Sequence, residues 1–240
     1  MRRAILILLV LLPLCACRAS APQPLDLDLY SDRGFAQRVD AIFADAASYE
    51  NAAIRLTGQY YESGGYAYIL RPTPDGEQRG FELRWEGEAP APGAWILAVG
   101  TLTSYIEGEA HYLQVSAQQL FETGRTAEEI TVGEETFLAD LAELYDAAEA
   151  HLGARITLTG RYGLDEAGHY IARTAAYRDG RAGQVGLQIL SLSELPAAGA
   201  WVTATGTLGR YTRDGEEILI LIDAVLTPSE PMEEPIKEAP

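Results

Sequence analysis

Apolar and polar positions change period twice along the chain, in the same order each time. Phe35, Val39, Ile42, Phe43 and Ala46 fall on one side of a 3.6-residue period, and Phe137, Leu141, Leu144, Tyr145 and Ala148 repeat that spacing. The spacing predicts one amphipathic helix per copy, its stripe turned to a core. Asn51 and Gly153 follow at matching places, and both residue types accept the left-handed conformation that ends a helix. The pattern then alternates with period two, which predicts strands at 53–61, 66–71, 81–85, 95–105 and 111–120. A second set is predicted at 154–162, 169–172, 185–190, 201–211 and 217–226. Gly64-Gly65, Pro74-Asp75-Gly76 and Asp214-Gly215 punctuate them as turns.

The two halves also match in residue identity. Phe35 to Tyr60 aligns without a gap to Phe137 to Tyr162, with Leu-Thr-Gly at 56–58 and 158–160. Further on, Gly93-Ala94-Trp95 and Gly100-Thr101-Leu102, closed by Tyr105, are matched by Gly199-Ala200-Trp201, Gly206-Thr207-Leu208 and Tyr211. Two blocks in one order signal an internal duplication. The expected fold is mainly β with one helix per repeat. It comprises two tandem small OB-like β-barrels, each preceded by an amphipathic α-helix, over residues 31–123 and 130–228. Five strands per unit suit a closed barrel, which leaves no exposed edge; a two-sheet sandwich is the structural alternative.

The N-terminus carries a different pattern. Arg2 and Arg3 precede an unbroken apolar run from Ala4 to Leu14, the length of a signal core and too short to span a bilayer. It closes on Leu14-Cys15-Ala16-Cys17, which resembles the lipobox of bacterial lipoproteins. That resemblance implies a signal peptide over residues 1–16, lipidation of Cys17, and attachment to a membrane through that lipid. Cleavage after Ala19-Ser20-Ala21 is the alternative, but it sets Pro22 beside the scissile bond. The expected location is extracytoplasmic, in the outer membrane if the host is diderm, since Arg18 stands where an aspartate favours inner-membrane retention. Residues 17–30, with Pro22 and Pro24, read as a tether, and residues 229–240 read as a solvated Pro/Glu-rich tail.

Composition removes several functions. With 35 acidic against 18 basic residues, a net charge of −17 opposes nucleic-acid binding, which depends on cations neutralising phosphates. The two cysteines both sit at the signal junction, so no disulfide staples the mature fold. The three histidines, His111, His151 and His169, lie in different elements without zinc-ligand spacing. There is no G-x-S-x-G elbow, Walker loop or dinucleotide fingerprint. Asp26-Leu27-Asp28 fails as a calcium loop because positions six and twelve hold Ser31 and Gln37. Glu107 with Glu109, and Glu216 with Glu217, are expected in solvated turns that do not tune a pKa. No metal, cofactor or catalytic residue is expected.

Trp95 and Trp201 are expected to close the base of each core, with a stacking platform for bases or sugars as the alternative. The candidate ligand face is Tyr66, Tyr68 and Trp85 in the first unit with His169, Tyr170 and Tyr177 in the second, near the surface on which OB folds bind.

The segment from His151 to Gly160, Ala172-Arg173, Val185-Gly186-Leu187, Trp201-Val202, Gly206-Thr207-Leu208 and the Pro/Glu-rich end resemble the soluble C-terminal domain of an uncharacterised bacterial permease-subunit family. Members carry a cysteine pair before Val-Gly-Leu; this chain has Tyr177-Arg178-Asp179-Gly180 there, so no thiol role carries over. The expectation is a non-enzymatic, membrane-anchored binding or adaptor module for a protein partner. The alternative is a module for a small ligand: a cation, basic peptide or glycan.

Overall fold

The computed structural model of this chain describes residues 23–108, 110–126, 128–177, 181–191 and 193–237. Cys17 and the expected signal peptide lie outside them. The first half runs β1 (Leu25–Asp26), α1 (Asp32–Ala44), α2 (Ala46–Tyr49), β2 (Ala53–Ser63), β3 (Tyr66–Pro72), β4 (Gln78–Arg84), β5 (Trp95–Glu107) and β6 (Ala110–Thr123). The second runs β7 (Glu129–Thr131), α3 (Phe137–Asp146), α4 (Ala148–His151), β8 (Arg155–Asp165), β9 (Gly168–Ala176), β10 (Ala182–Leu190), β11 (Trp201–Arg213) and β12 (Glu216–Pro228). A short β13 (Ile236–Lys237) follows. Each half thus has two helical pieces where one was expected, broken at Asp45 and Ala147.

The stripe on α1 buries Phe35, Val39 and Ile42, and that on α3 buries Phe137, Leu141 and Leu144. Phe43 and Tyr145, expected on the same stripes, are 49% and 48% exposed. Asn51 and Gly153 are left-handed, at φ 65° and 85°, and donate their N–H to Leu102 O and Leu208 O at 2.9 and 2.8 Å. This ties the end of each helical segment to a strand of its own half, β5 or β11.

In the first half, β2 pairs antiparallel with β3, β3 with β4, β5 with β2, and β5 with β6, while β4 and β6 run parallel. The pairings return to β2, so the five strands close a ring. β8 to β12 make the corresponding pairings, including a parallel β10–β12 contact. Alternate side chains fill each ring: Ile54, Leu56, Ile69, Phe81, Ile96 and Leu102 in one, Ile156, Leu158, Ile171, Leu187, Leu208 and Leu221 in the other. A single pairing, Arg210 with Glu122, continues the sheet from β6 to β11.

Each ring holds a buried arginine where β3 or β9 turns a side chain inward. Arg71, 4% exposed, lies 4.4 Å over the Phe35 ring; its guanidinium donates to Asp28 at 2.6 Å, Thr57 O at 2.5 Å and Tyr30 O at 3.3 Å. Arg173, 3% exposed, lies 5.1 Å over Phe137 and donates to Glu233 O at 2.8 Å and Glu134 O at 3.3 Å, while its buried Nε has no partner among the described residues.

These arginines correct both expected linkers. Leu25 and Leu27 are buried, β1 pairs with β2, and Asp28 is the counter-ion of Arg71, so residues 25–28 belong to the fold rather than to a tether. Burying Leu25 and Leu27 is worth about 2 kcal/mol each, and together with the Asp28–Arg71 pair it offsets the conformational freedom this segment gives up. Residues 233–237 are likewise no solvated tail: Glu234 accepts the Thr174 N–H at 2.8 Å and pairs with Arg161 at 2.9 Å, and β13 pairs with β9.

Candidate functional site

Alternation along β3 turns Ala67, Ile69 and Arg71 inward and leaves Tyr66, Tyr68 and Leu70 on the outer face. β4 adds Gly80 and Glu82 to that face, the end of β5 adds Tyr105 and Glu107, and β6 adds Tyr112. With Phe43 of α1, stacked on Phe81 at 5.6 Å and 11°, they line a groove of about 480 Å³. A Cβ on Gly80 would sit 1.9 Å from Ile69 O, so glycine alone fits there and the groove floor stays bare.

Hydrogen bonds hold the groove's tyrosines. The Tyr105 hydroxyl donates to Glu82 at 2.5 Å, the Tyr66 hydroxyl donates to Glu107 at 3.1 Å, and the Tyr105 and Tyr112 rings stack at 5.2 Å. Bonding to a carboxylate favours the neutral phenol. Glu82 therefore holds Tyr105 far above its ordinary pKa, and Glu107 raises Tyr66. Both phenols stay protonated near neutral pH and act as donors rather than as acid–base groups. On the rim, Arg79 is taken by Glu77 and Asp40. Among the described residues no cation pairs with Glu82 or Glu107.

The strand registers assign each groove position a counterpart on the second ring. Tyr105 corresponds to Tyr211, whose hydroxyl donates to Gln188 at 2.6 Å, as Tyr105 does to Glu82. Tyr68 corresponds to Tyr170, Tyr66 to Gly168, Glu107 to Arg213 and Tyr112 to Ile218. Where the first ring carries Arg84, Gln114 and Ser116, the second carries Leu190, Ile220 and Ile222. Leu97 and Phe121 of the first ring dock on that second face and form a buried cluster with Ile220 and Ile222, flanked by Val99, Leu190 and Tyr211. Phe121 meets Tyr211 edge-on at 5.8 Å, and Arg210 pairs with Glu122 beside it.

Next to this contact lies a cleft of about 640 Å³ between the rings. Trp85 of the first ring and His169 of the second both line it, with Gln119, Gln188 and Arg210. The Trp85 indole donates to Glu88 O at 3.0 Å, and His169 Nδ1 lies 2.7 Å from the Tyr162 hydroxyl.

The aromatic residues expected to present a ligand face, three in each unit, lie as follows. Tyr66 and Tyr68 line the first-ring groove, Trp85 and His169 line the cleft, Tyr170 packs over Gly163, and Tyr177 lies against Gly183 in the β9–β10 turn. Cys17 is outside the described residues. Trp95 and Trp201 do not close the cores: both are half-buried and lie under Arg125 and Arg161 at 4.8 and 5.3 Å. Glu107, expected to be idle in its turn, accepts the Tyr66 hydroxyl. Phe43, Glu82, Tyr105 and Tyr112 were missed, although period-two alternation across the β5–β6 hairpin puts Tyr105 opposite Tyr112. No protein-family model matches the chain, and no curated protein sequence matches it.

Proposed function

We propose that this chain is a non-enzymatic binding or adaptor module, held outside the cytoplasm by lipid on Cys17, that engages a protein partner through the outer face of its first ring. The observation that carries the reading is the contrast between the two outer faces. The second is covered by the first ring, while the first keeps its tyrosines and glutamates open. A face that serves protein contact in one copy is a natural contact surface in the other.

Each ring reads as an OB-type barrel, and the pair as a tandem duplication. Supporting this, the strands join in the order first, second, third, fifth, fourth and back to first, with third and fifth parallel. The Arg2-Arg3 start, the apolar run and the lipobox-like Leu14–Cys17 support export and lipidation, in the outer membrane if the host is diderm. The net charge of −17 speaks against nucleic acid as the partner.

A photo-crosslinking amino acid at Tyr112 of the full-length protein, in producing cells, tests the reading. A discrete protein adduct is expected from that position and none from Thr227, on the opposite outer face of the second ring. Adducts at Thr227 alone, or at neither site, overturn it. Cys17→Ser tests the anchor separately: the variant is expected in the soluble fraction, and continued membrane residence argues against lipid attachment. A second reading, small-ligand binding, is favoured by the cleft under Trp85 and His169. A rise in melting temperature with a glycan or cation would support it, because selective binding stabilises the folded state.

A further inference from the structure

The chain contains one worked instance of how this outer face takes a protein. On the second ring the occupant is an extended β5–β6 edge that places Phe121 edge-on against Tyr211, with Leu97 on the apolar patch and Glu122 on Arg210. The first ring keeps the aromatic element of that site, Tyr105, and stacks Tyr112 beside it. Its charge is different. Gln188 is replaced by Glu82, Arg213 by Glu107, and the cationic Arg210 by the neutral Ser104. The apolar Leu190, Ile220 and Ile222 give way to Arg84, Gln114 and Ser116, so the patch that Leu97 fills has no counterpart.

We propose that the first ring's outer face docks an extended, cationic protein segment bearing an aromatic side chain. The aromatic group packs on Tyr105 as Phe121 packs on Tyr211, and lysine or arginine side chains reach Glu82 and Glu107. This rests on the reading of that face as the partner-binding surface and adds the partner's chemistry. Three features select a cation over a neutral or acidic segment. The two carboxylates meet no cation among the described residues, the tyrosine ring faces attract a guanidinium or ammonium, and the whole chain's negative field speeds approach of a basic partner.

The probe is a synthetic peptide of alternating arginine and phenylalanine, titrated against the purified full-length protein by fluorescence anisotropy. Its counterpart has every arginine replaced by glutamate. The arginine peptide is expected to bind and the glutamate peptide not. Glu82→Gln with Glu107→Gln is expected to weaken binding by about tenfold or more, as for the loss of charge-assisted contacts. Glu135→Gln with Glu194→Gln, exposed residues away from the groove, makes the same change in net charge and is expected to move affinity by less than about twofold. Equal weakening by both pairs would mean bulk attraction and overturn the proposal, as would equal binding of both peptides or none of either.

The crosslinks from Tyr112 separate this failure from failure of the wider reading. An adduct on a neutral or acidic partner segment overturns the charge assignment and leaves the adaptor reading standing. An adduct to a second copy of this chain overturns the cationic partner in favour of self-association. No adduct at Tyr112 overturns both.

Discussion

Tyr105 and Tyr211 hold the same place in the two rings, and each donates its hydroxyl to the neighbouring residue on the ring's third strand, Glu82 in one and Gln188 in the other. Around this shared pair the two faces differ. The second is apolar at Leu190, Ile220 and Ile222 and is closed by Leu97 and Phe121, whereas the first is polar at Arg84, Gln114 and Ser116 and stays open. The matching back faces differ in the reciprocal sense. Leu97, Val99 and Phe121 correspond to Thr203, Thr205 and Thr227, and the first two threonines bond across to Thr159 and Thr157. One architecture thus supports either a joint or a free surface, and a handful of outward side chains selects which.

The largest expected effect comes from erasing that difference. Leu97→Thr, Val99→Thr and Phe121→Thr together give the first ring the back face of the second. They should remove on the order of 5 kcal/mol of docking, given the cost of truncating buried Leu and Phe. Small-angle scattering should record a larger radius of gyration while circular dichroism keeps the strand signal. An unchanged radius would mean that the cluster does not hold the rings together.

The buried arginines offer a second contrast. Arg71→Met leaves the partly buried Asp28 without its closest cation, with Arg55 at 2.8 Å remaining, and should cost about 2–3 kcal/mol in urea unfolding. Among the described residues, Arg173→Met strands no carboxylate and removes an Nε without a partner, so it should cost about 1 kcal/mol or less. Equal losses would erase the distinction.

The left-handed stops come next. Asn51→Ala should cost about 1 kcal/mol in backbone strain. Gly153→Ala should cost more, about 2 kcal/mol, because its Cβ would stand 2.4 Å from the Gly124 backbone. Thermal melts of the two variants make the comparison.

The smallest effect is a pH dependence at Asp223, on β12, which reaches across to Arg55 of the first ring. Burial raises its pKa, Arg55 lowers it, and Asp28 and Asp26 add to the rise; the net shift is upward. A carboxyl shifted this way favours the folded state below its unfolded pKa of about 3.9 and loses that contribution as pH rises through the folded value. Asp223→Asn keeps a residue that tolerates φ 54°. It should match the wild type near pH 3 and gain on it towards pH 7 in a urea titration; a gap that widens towards acid would refute the sign.

Much of the fold was legible because the ten ring strands are long enough for period two to register, with turn glycines between them. β1, β7 and β13 were not, since two or three residues carry no period and their partners are parallel strands distant in sequence. Pro22, Pro24 and the aspartates made residues 17–30 look like a tether, and only the three-dimensional position of Arg71 explains why Asp28 is needed. The docking edge had a readable trace: Trp95-Ile96-Leu97-Ala98-Val99 breaks alternation with a continuous apolar run, as a strand covered on both faces does. The groove was half legible, because Tyr66 and Tyr68 are neighbours along one strand, whereas Tyr105 and Tyr112 join them only through strand pairing.

The contact between the rings joins a back face to a front face, two different surfaces. Such a joint has no symmetry to close it, and repeated from molecule to molecule it would string copies into a filament of unlimited length. What opposes such end-to-end association is the chemistry of the two outermost faces: threonines whose hydroxyls bond to other threonines on one, and arginine, glutamine and glutamate on the other. Seen this way, the polar residues on the outermost surfaces guard against polymerisation of copies, a task separate from that of the buried leucines, which fix the shape.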